Sequence, residues 1–149
     1  MYQKRKITPK LVLLIVAPVV AAYCWHVDFP GFADQPPRDL SGALVERGDK
    51  VYQYCVGGFI DCTYCWRIDG SLSTISRVST QLSLKPSATI PAEFWRLPPY
   101  YWPRSQNASM VAYRSLNFSD DVRGSDGPHF FMIHDTSKNR AYVLFKDNF

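Results

Sequence analysis

The whole formal net charge of +4 lies in the first ten residues, in Lys4, Arg5, Lys6 and Lys10, and an uncharged apolar run, Leu11 to Trp25, follows at once. Basic residues ahead of such a run stay on the cytoplasmic side of a membrane, and the chain beyond it is exported. Residues 1–27 therefore read as a signal peptide or signal-anchor. The run of 15 residues falls between a signal-peptide core and the roughly 20 residues that span a bilayer. Both fates stay open: Val20-Ala21-Ala22 offers small residues for cleavage before Tyr23, while Pro18 and a snorkelling Lys10 suit a short retained anchor. The expected location is the inner membrane, single-pass with the C-terminal domain in the periplasm, or the periplasm itself after cleavage. Membrane contact is then made through residues 11–25.

Beyond residue 10 the 13 Lys/Arg and 13 Asp/Glu balance. A nucleic-acid reader carries a basic stripe on its folded part, so no nucleic-acid partner is expected. Residues 28–43 mix Pro, Gly and Asp without hydrophobic periodicity and read as an extended spacer. Residues 44–149 are the right size for one domain with a single core.

Strand signals begin at Lys50. VYQYCV, Gly57-Gly58, FIDCTYCWRI and Asp69-Gly70 read as a β-meander with tight turns at the two glycine-containing pairs. Leu72, Thr74, Val78, Thr80, Leu82 and Leu84 share one parity, the period-2 mark of a half-buried strand, with Ile75 and Ser76 breaking it at a bulge. Pro86 ends that strand, and PAEFWRL from Pro91 is a short helical candidate with proline at its first position. Met110 to Phe118 is another strand, Ser119 to Gly127 a polar turn, and HFFMI and AYVLF flank a closing hairpin turn. The expected fold is mainly β: an antiparallel sheet or small barrel with one short helix, preceded by the single N-terminal hydrophobic helix.

Cys55, Cys62 and Cys65 cluster in the exported part, where disulfides form, and are read as holding a structural bridge whose pairing stays open. Cys62-Thr-Tyr-Cys65 lacks the helix N-terminus and βαβ context that lower a redox thiol's pKa. Zinc wants four ligands and no nearby His completes the cysteine spacing, so no metal is expected. His129 and His134 lie five apart, on opposite faces of a strand, and read as ordinary surface histidines. No nucleophile elbow accompanies His134-Asp135, and Asp120-Asp121 sit in a turn. No catalytic residue and no cofactor is therefore assigned. The sequons at Asn107 and Asn117 are incidental.

The conspicuous surface candidate is the Pro-bounded aromatic stretch. Trp95, Tyr100, Tyr101, Trp102 and Arg104 are residue types enriched at binding hot spots, and Pro98, Pro99 and Pro103 stiffen the loop that carries them. Phe94 and Leu97 are given to the core. The expected function is a non-enzymatic, periplasm-facing binding or inhibitor protein, such as an immunity protein against an envelope-acting toxin or an inhibitor of a cell-wall hydrolase. A structural accessory subunit of a membrane complex is the alternative, and a thiol oxidoreductase using Cys62 and Cys65 a second one. The expected partner is accordingly another protein: a toxin, a hydrolase or a membrane-complex subunit. Val51-Tyr52-Gln53-Tyr54-Cys55, with Ser125 to Gly127 ahead of the last hairpin, resembles periplasmic lysozyme inhibitors over about a quarter of the chain. That family's second cysteine near the C-terminus has no counterpart here, and no family is assigned.

Overall fold

The computed structural model describes residues 16–21, 37–57, 62–97, 99–118 and 128–147. Its frame is a six-stranded sheet, antiparallel throughout. The strands are β1 (Lys50–Gly57), β2 (Cys62–Asp69), β3 (Lys85–Pro86), β4 (Met110–Arg114), β5 (His129–Asp135) and β6 (Arg140–Asp147). Their spatial order is β1-β2-β6-β5-β4-β3, so β6 lies between β2 and β5. The sheet is open, with β1 and the two-residue β3 at its edges, which decides against the barrel.

Residues opposite one another across a ladder share a face. The register Trp66↔Val143 and Met132↔Val143 therefore puts these three on one side, and Cys65↔Leu144 with Phe131↔Leu144 puts those on the other. Both sides are covered. Strand β5 is consequently buried at all seven positions, and its sequence runs apolar instead of alternating.

One face is covered by a helix, α1 (Leu72–Gln81), where the parity pattern predicts a strand. Thr74, Ile75 and Val78 are its buried positions, and Leu82 follows at the C-cap. Positions 75, 78 and 82 recur at helical spacing, so Ile75 is a core-facing residue and no bulge exists. The Ser71 hydroxyl caps the start by accepting from Thr74 N–H at 3.2 Å. Asp69-Gly70 accordingly leads from β2 into α1 and makes no hairpin. Against α1 lie Val51, Trp66, Ile68, Met132, Val143 and Phe145, with the Phe130 and Phe145 rings stacked at 4.7 Å between centroids.

Leu40 and Ala43 are fully buried in this same layer, so the folded part includes residues assigned above to the spacer. A 3-10 turn, Arg38–Leu40, brings Leu40 in. Glu46 and Asp49, in the loop that follows, accept hydrogen bonds from Ser71, Ser73, Thr74 and Arg77 at the start of α1. Those bonds, from Ser73 first and then Arg77 and Ser71, hold the Glu46 carboxyl down at about 2. Gly70 is required there: a Cβ would meet Asp49 Oδ1 at 2.8 Å and Thr74 Cγ2 at 3.0 Å.

The other face is covered mainly from the stretch between β3 and β4, by Phe94, Tyr101 and Trp102, with Phe118 from beyond β4. The predicted helix at PAEFWRL is a 3-10 turn, Ala92–Arg96, which seats Phe94 against the sheet. Strand β4 stops at Arg114, short of the predicted Phe118. Gly57 pairs with Cys62, so the first hairpin loop is longer than a two-residue turn at Gly57-Gly58. Residues 16–21 are helical, while the rest of the apolar run, the cleavage site and the Ser119 to Gly127 turn lie outside the described residues. Among the described residues no helix is long and apolar enough to cross a membrane.

Candidate functional site

The aromatic stretch divides sharply by burial. Tyr101 is 7% and Trp102 2% exposed, whereas Tyr100 is 57% exposed. Trp102 donates its indole N–H to Phe94 O at 2.6 Å and packs on Phe94 and Tyr142. Tyr101 donates its hydroxyl to Cys65 O at 3.1 Å, and burial raises its phenol well above the ordinary tyrosine range. Both side chains belong to the second core layer, with Phe131, Ile133 and Leu144. Both rings are turned inward, beside Phe94, Ile90, Trp95 and Leu97 from the same stretch of chain. Trp95 is half-buried, edge-on to Phe94 at 5.4 Å. Arg104 is exposed, and its guanidinium donates to Leu97 O at 2.5 Å and Pro99 O at 3.2 Å, strapping the loop. Tyr100 thus stands out from a fixed base, its ring edge-on to Tyr101 at 5.5 Å.

Beside this base lies an ion cluster that the sequence pattern does not reveal. Arg67 donates to both oxygens of Asp69, and Arg140, directly opposite Asp69, donates at 2.6 Å. Burial pushes the Asp69 carboxyl up, but the hydrogen bonds from Arg67 and Arg140 outweigh it, and the group ionises below the usual carboxylate range. The Arg67 guanidinium lies 4.4 Å over the Tyr52 ring and 5.9 Å from that of Tyr101. Residues so far apart in sequence meet only through the β2–β6 register.

Cys55 is opposite Tyr64 and Cys65 opposite Tyr54, so Cys55 and Cys65 occupy opposite faces. Cys65 is a free, fully buried thiol. Burial, with a smaller contribution from Cys55, pushes its pKa up to about 12, the reverse of the shift that makes a thiol nucleophilic at neutral pH. Cys55 is exposed. The side chain of Cys62 lies outside the described residues.

His129 and His134 do lie on opposite faces, but both are buried, contrary to the surface reading, because β5 is covered on each side. His129 Nδ1 is 2.8 Å from Asn117 O. Burial lowers the His134 pKa, and the charge of Asp135 only partly offsets this. Asp135 is itself held below its usual range: burial raises it, and hydrogen bonds from Ser137 and Ser109 prevail. Asn107 accepts from Ser109 N–H at 2.9 Å, giving it a turn-forming role. Among the described residues no group of three or more His, Cys, Asp or Glu is placed to hold a metal ion.

Fold and site together define an open antiparallel sheet between one helix and a proline-stiffened aromatic layer, with one tyrosine raised from that layer. No protein-family model, curated protein or solved structure matches this chain.

Proposed function

We propose that this protein is a non-enzymatic binding or inhibitor protein facing the periplasm, tethered by residues 11–25 or released from them, which holds another protein through Tyr100. The partner in this reading is an envelope-acting toxin or a cell-wall hydrolase. One observation carries it: an exposed tyrosine seated edge-on against a second tyrosine whose ring is buried and whose hydroxyl is bonded to Cys65 O. A ring mounted on a rigid base loses little conformational freedom on binding, so more of its burial is retained as affinity. Trp95 and Arg104, on the same layer, supply the neighbouring apolar and cationic contacts.

The test is affinity capture from native membranes and periplasm with the wild type and Tyr100→Ala, bound proteins being identified by mass spectrometry. The expected result is a soluble toxin or hydrolase held by the wild type and lost, ten-fold or more, by a variant of unchanged melting temperature. Equal capture by both proteins overturns the assignment to Tyr100. Recovery of integral membrane subunits alone overturns the inhibitor reading in favour of an accessory subunit.

A further inference from the structure

The packed domain begins close behind the apolar leader. Leu40 and Ala43 are fully buried, Gln81 donates its amide to Asp39 O at 2.6 Å, and Arg77 donates to Ala43 O at 3.1 Å. Residues 39–43 are thus pinned against α1. Only residues 26–36 separate Trp25 from Pro37, and eleven residues at about 3.5 Å each reach no further than about 40 Å. A chain that keeps residues 11–25 in the bilayer therefore holds the domain beside it, by the end at which Pro37 enters.

That end carries a cleft of about 590 Å³, bounded by Arg38 and Asp39, by Leu82 at the close of α1 and by the turn that follows β4. Leu116 lines it and is 87% exposed, the most of any large apolar residue among those described. Phe118 N–H donates to Ser115 O at 3.1 Å, which closes a turn with Leu116 at its tip. The turn is fastened on both sides, as Phe130 N–H donates to Ser115 Oγ at 3.0 Å and Asn117 donates to Pro128 O at 3.0 Å. A leucine on so fixed a mount gives up little backbone freedom when it leaves water.

The tether names what it meets. Linkage to the bilayer raises the effective concentration of this end there, so a single inserted side chain is enough where a free domain would not stay bound. Arg38 is exposed and enters none of the ion pairs among the described residues, and a guanidinium suits phosphate oxygens. Asp39 beside it leaves the cleft without net charge, so attachment depends on insertion more than on attraction to anionic lipid.

We infer that the domain rests on the phospholipid surface of the membrane its leader enters, with Leu116 inserted at headgroup depth and Arg38 donating to lipid phosphate. This inference rests on the tethered form of the function proposed above. Leu82 and Phe130, at the cleft, belong to the helix layer and Tyr101 to the layer across the sheet, so the seated domain keeps Tyr100 clear of the lipid.

The test places the full chain in lipid discs of phosphatidylethanolamine and phosphatidylglycerol at three to one, with and without a doxyl-labelled phosphatidylcholine, and follows backbone amide signals by NMR. Flotation with vesicles of the same two lipids reports separately whether the leader holds. The expected result is a chain that floats, with the amides of Leu116 and Ser83 broadened at least two-fold more than those of Tyr100 and Tyr101. Leu116→Ser, at an exposed turn position, should still float and lose that difference. Equal broadening at the two places, or broadening unchanged in Leu116→Ser, overturns the lipid contact and leaves the tether standing. A chain that does not float overturns the tether, and the lipid contact with it.

Discussion

Trp102 lies between prolines in a loop, yet its ring is closed in by Phe94 and Tyr142 and its N–H is bonded to Phe94 O. Trp102→Ala is expected to cost about 3–5 kcal/mol, the usual range for emptying a buried tryptophan site, whereas Tyr100→Ala should stay within about 0.5 kcal/mol. Urea denaturation of both variants measures the difference. Glu46 makes a separate prediction in acid. Its carboxyl, lowered from 4.5 to about 2, stabilises the fold fully above pH 4.5 and loses that contribution as the pH falls through 2. The stability gap between the wild type and Glu46→Gln should therefore be level above pH 4.5 and shrink between pH 4.5 and 2, as read by denaturation at each pH. Composition identified the aromatic stretch as notable but could not divide it, since Tyr100 and Tyr101 are chemically identical and only the sheet beneath decides which turns inward. Arg67, Asp69 and Arg140 were equally invisible, because their meeting depends on a ladder between distant strands.

At the scale of elements, α1 shows how a sequence period can mislead. Thr74, Ile75, Val78 and Thr80 are β-branched, a composition that favours strands. Even positions 72, 74, 78, 80, 82 and 84 happen to alternate with polar residues, and the discriminating residue is Ile75, which fits a helical face and no strand face. Packing and capping, more than propensity, settle the outcome. The C-terminal end is closed by Leu84 N–H to Ser79 O at 2.9 Å and Ser83 N–H to Thr80 O at 3.0 Å, with Ser83 at φ 53°. That left-handed position ordinarily holds glycine. Ser83→Gly should raise stability by about 1 kcal/mol by relieving a non-glycine residue of positive φ, and thermal melts read the gain directly. The strands were more legible: β1, β2, β5 and β6 stand where apolar and aromatic runs between turn residues predict them.

The molecule as a whole is built from the middle outward. The stretch between β2 and β4 supplies α1 to one layer and Phe94, Tyr101 and Trp102 to the other, joined by Leu40 and Ala43 from ahead of β1 and Phe118 from beyond β4, while β2 itself pairs with β6, Asp69 meeting Arg140 71 residues away. Neither the strand order nor the open form was legible in the sequence, since register and pairing are set by packing between segments that no local pattern links. Cys65 reports on that closed arrangement. It should resist iodoacetamide in the native protein and react once guanidinium unfolds it, with the modified residue mapped by mass spectrometry; reaction at the native rate of a small thiol would contradict its burial.

The place of β6 between β2 and β5 also sets a clock. Strand β2 acquires its second neighbour only after residues 140–147 have been synthesised, so until then the chain lacks the pairing that joins the β1–β2 hairpin to the rest of the sheet. Long-range pairings of this kind form slowly even then, because ordering the intervening chain precedes any reward. On the export route proposed above, a polypeptide of this topology would reach a narrow translocation channel before that pairing had closed, still extended and able to thread it.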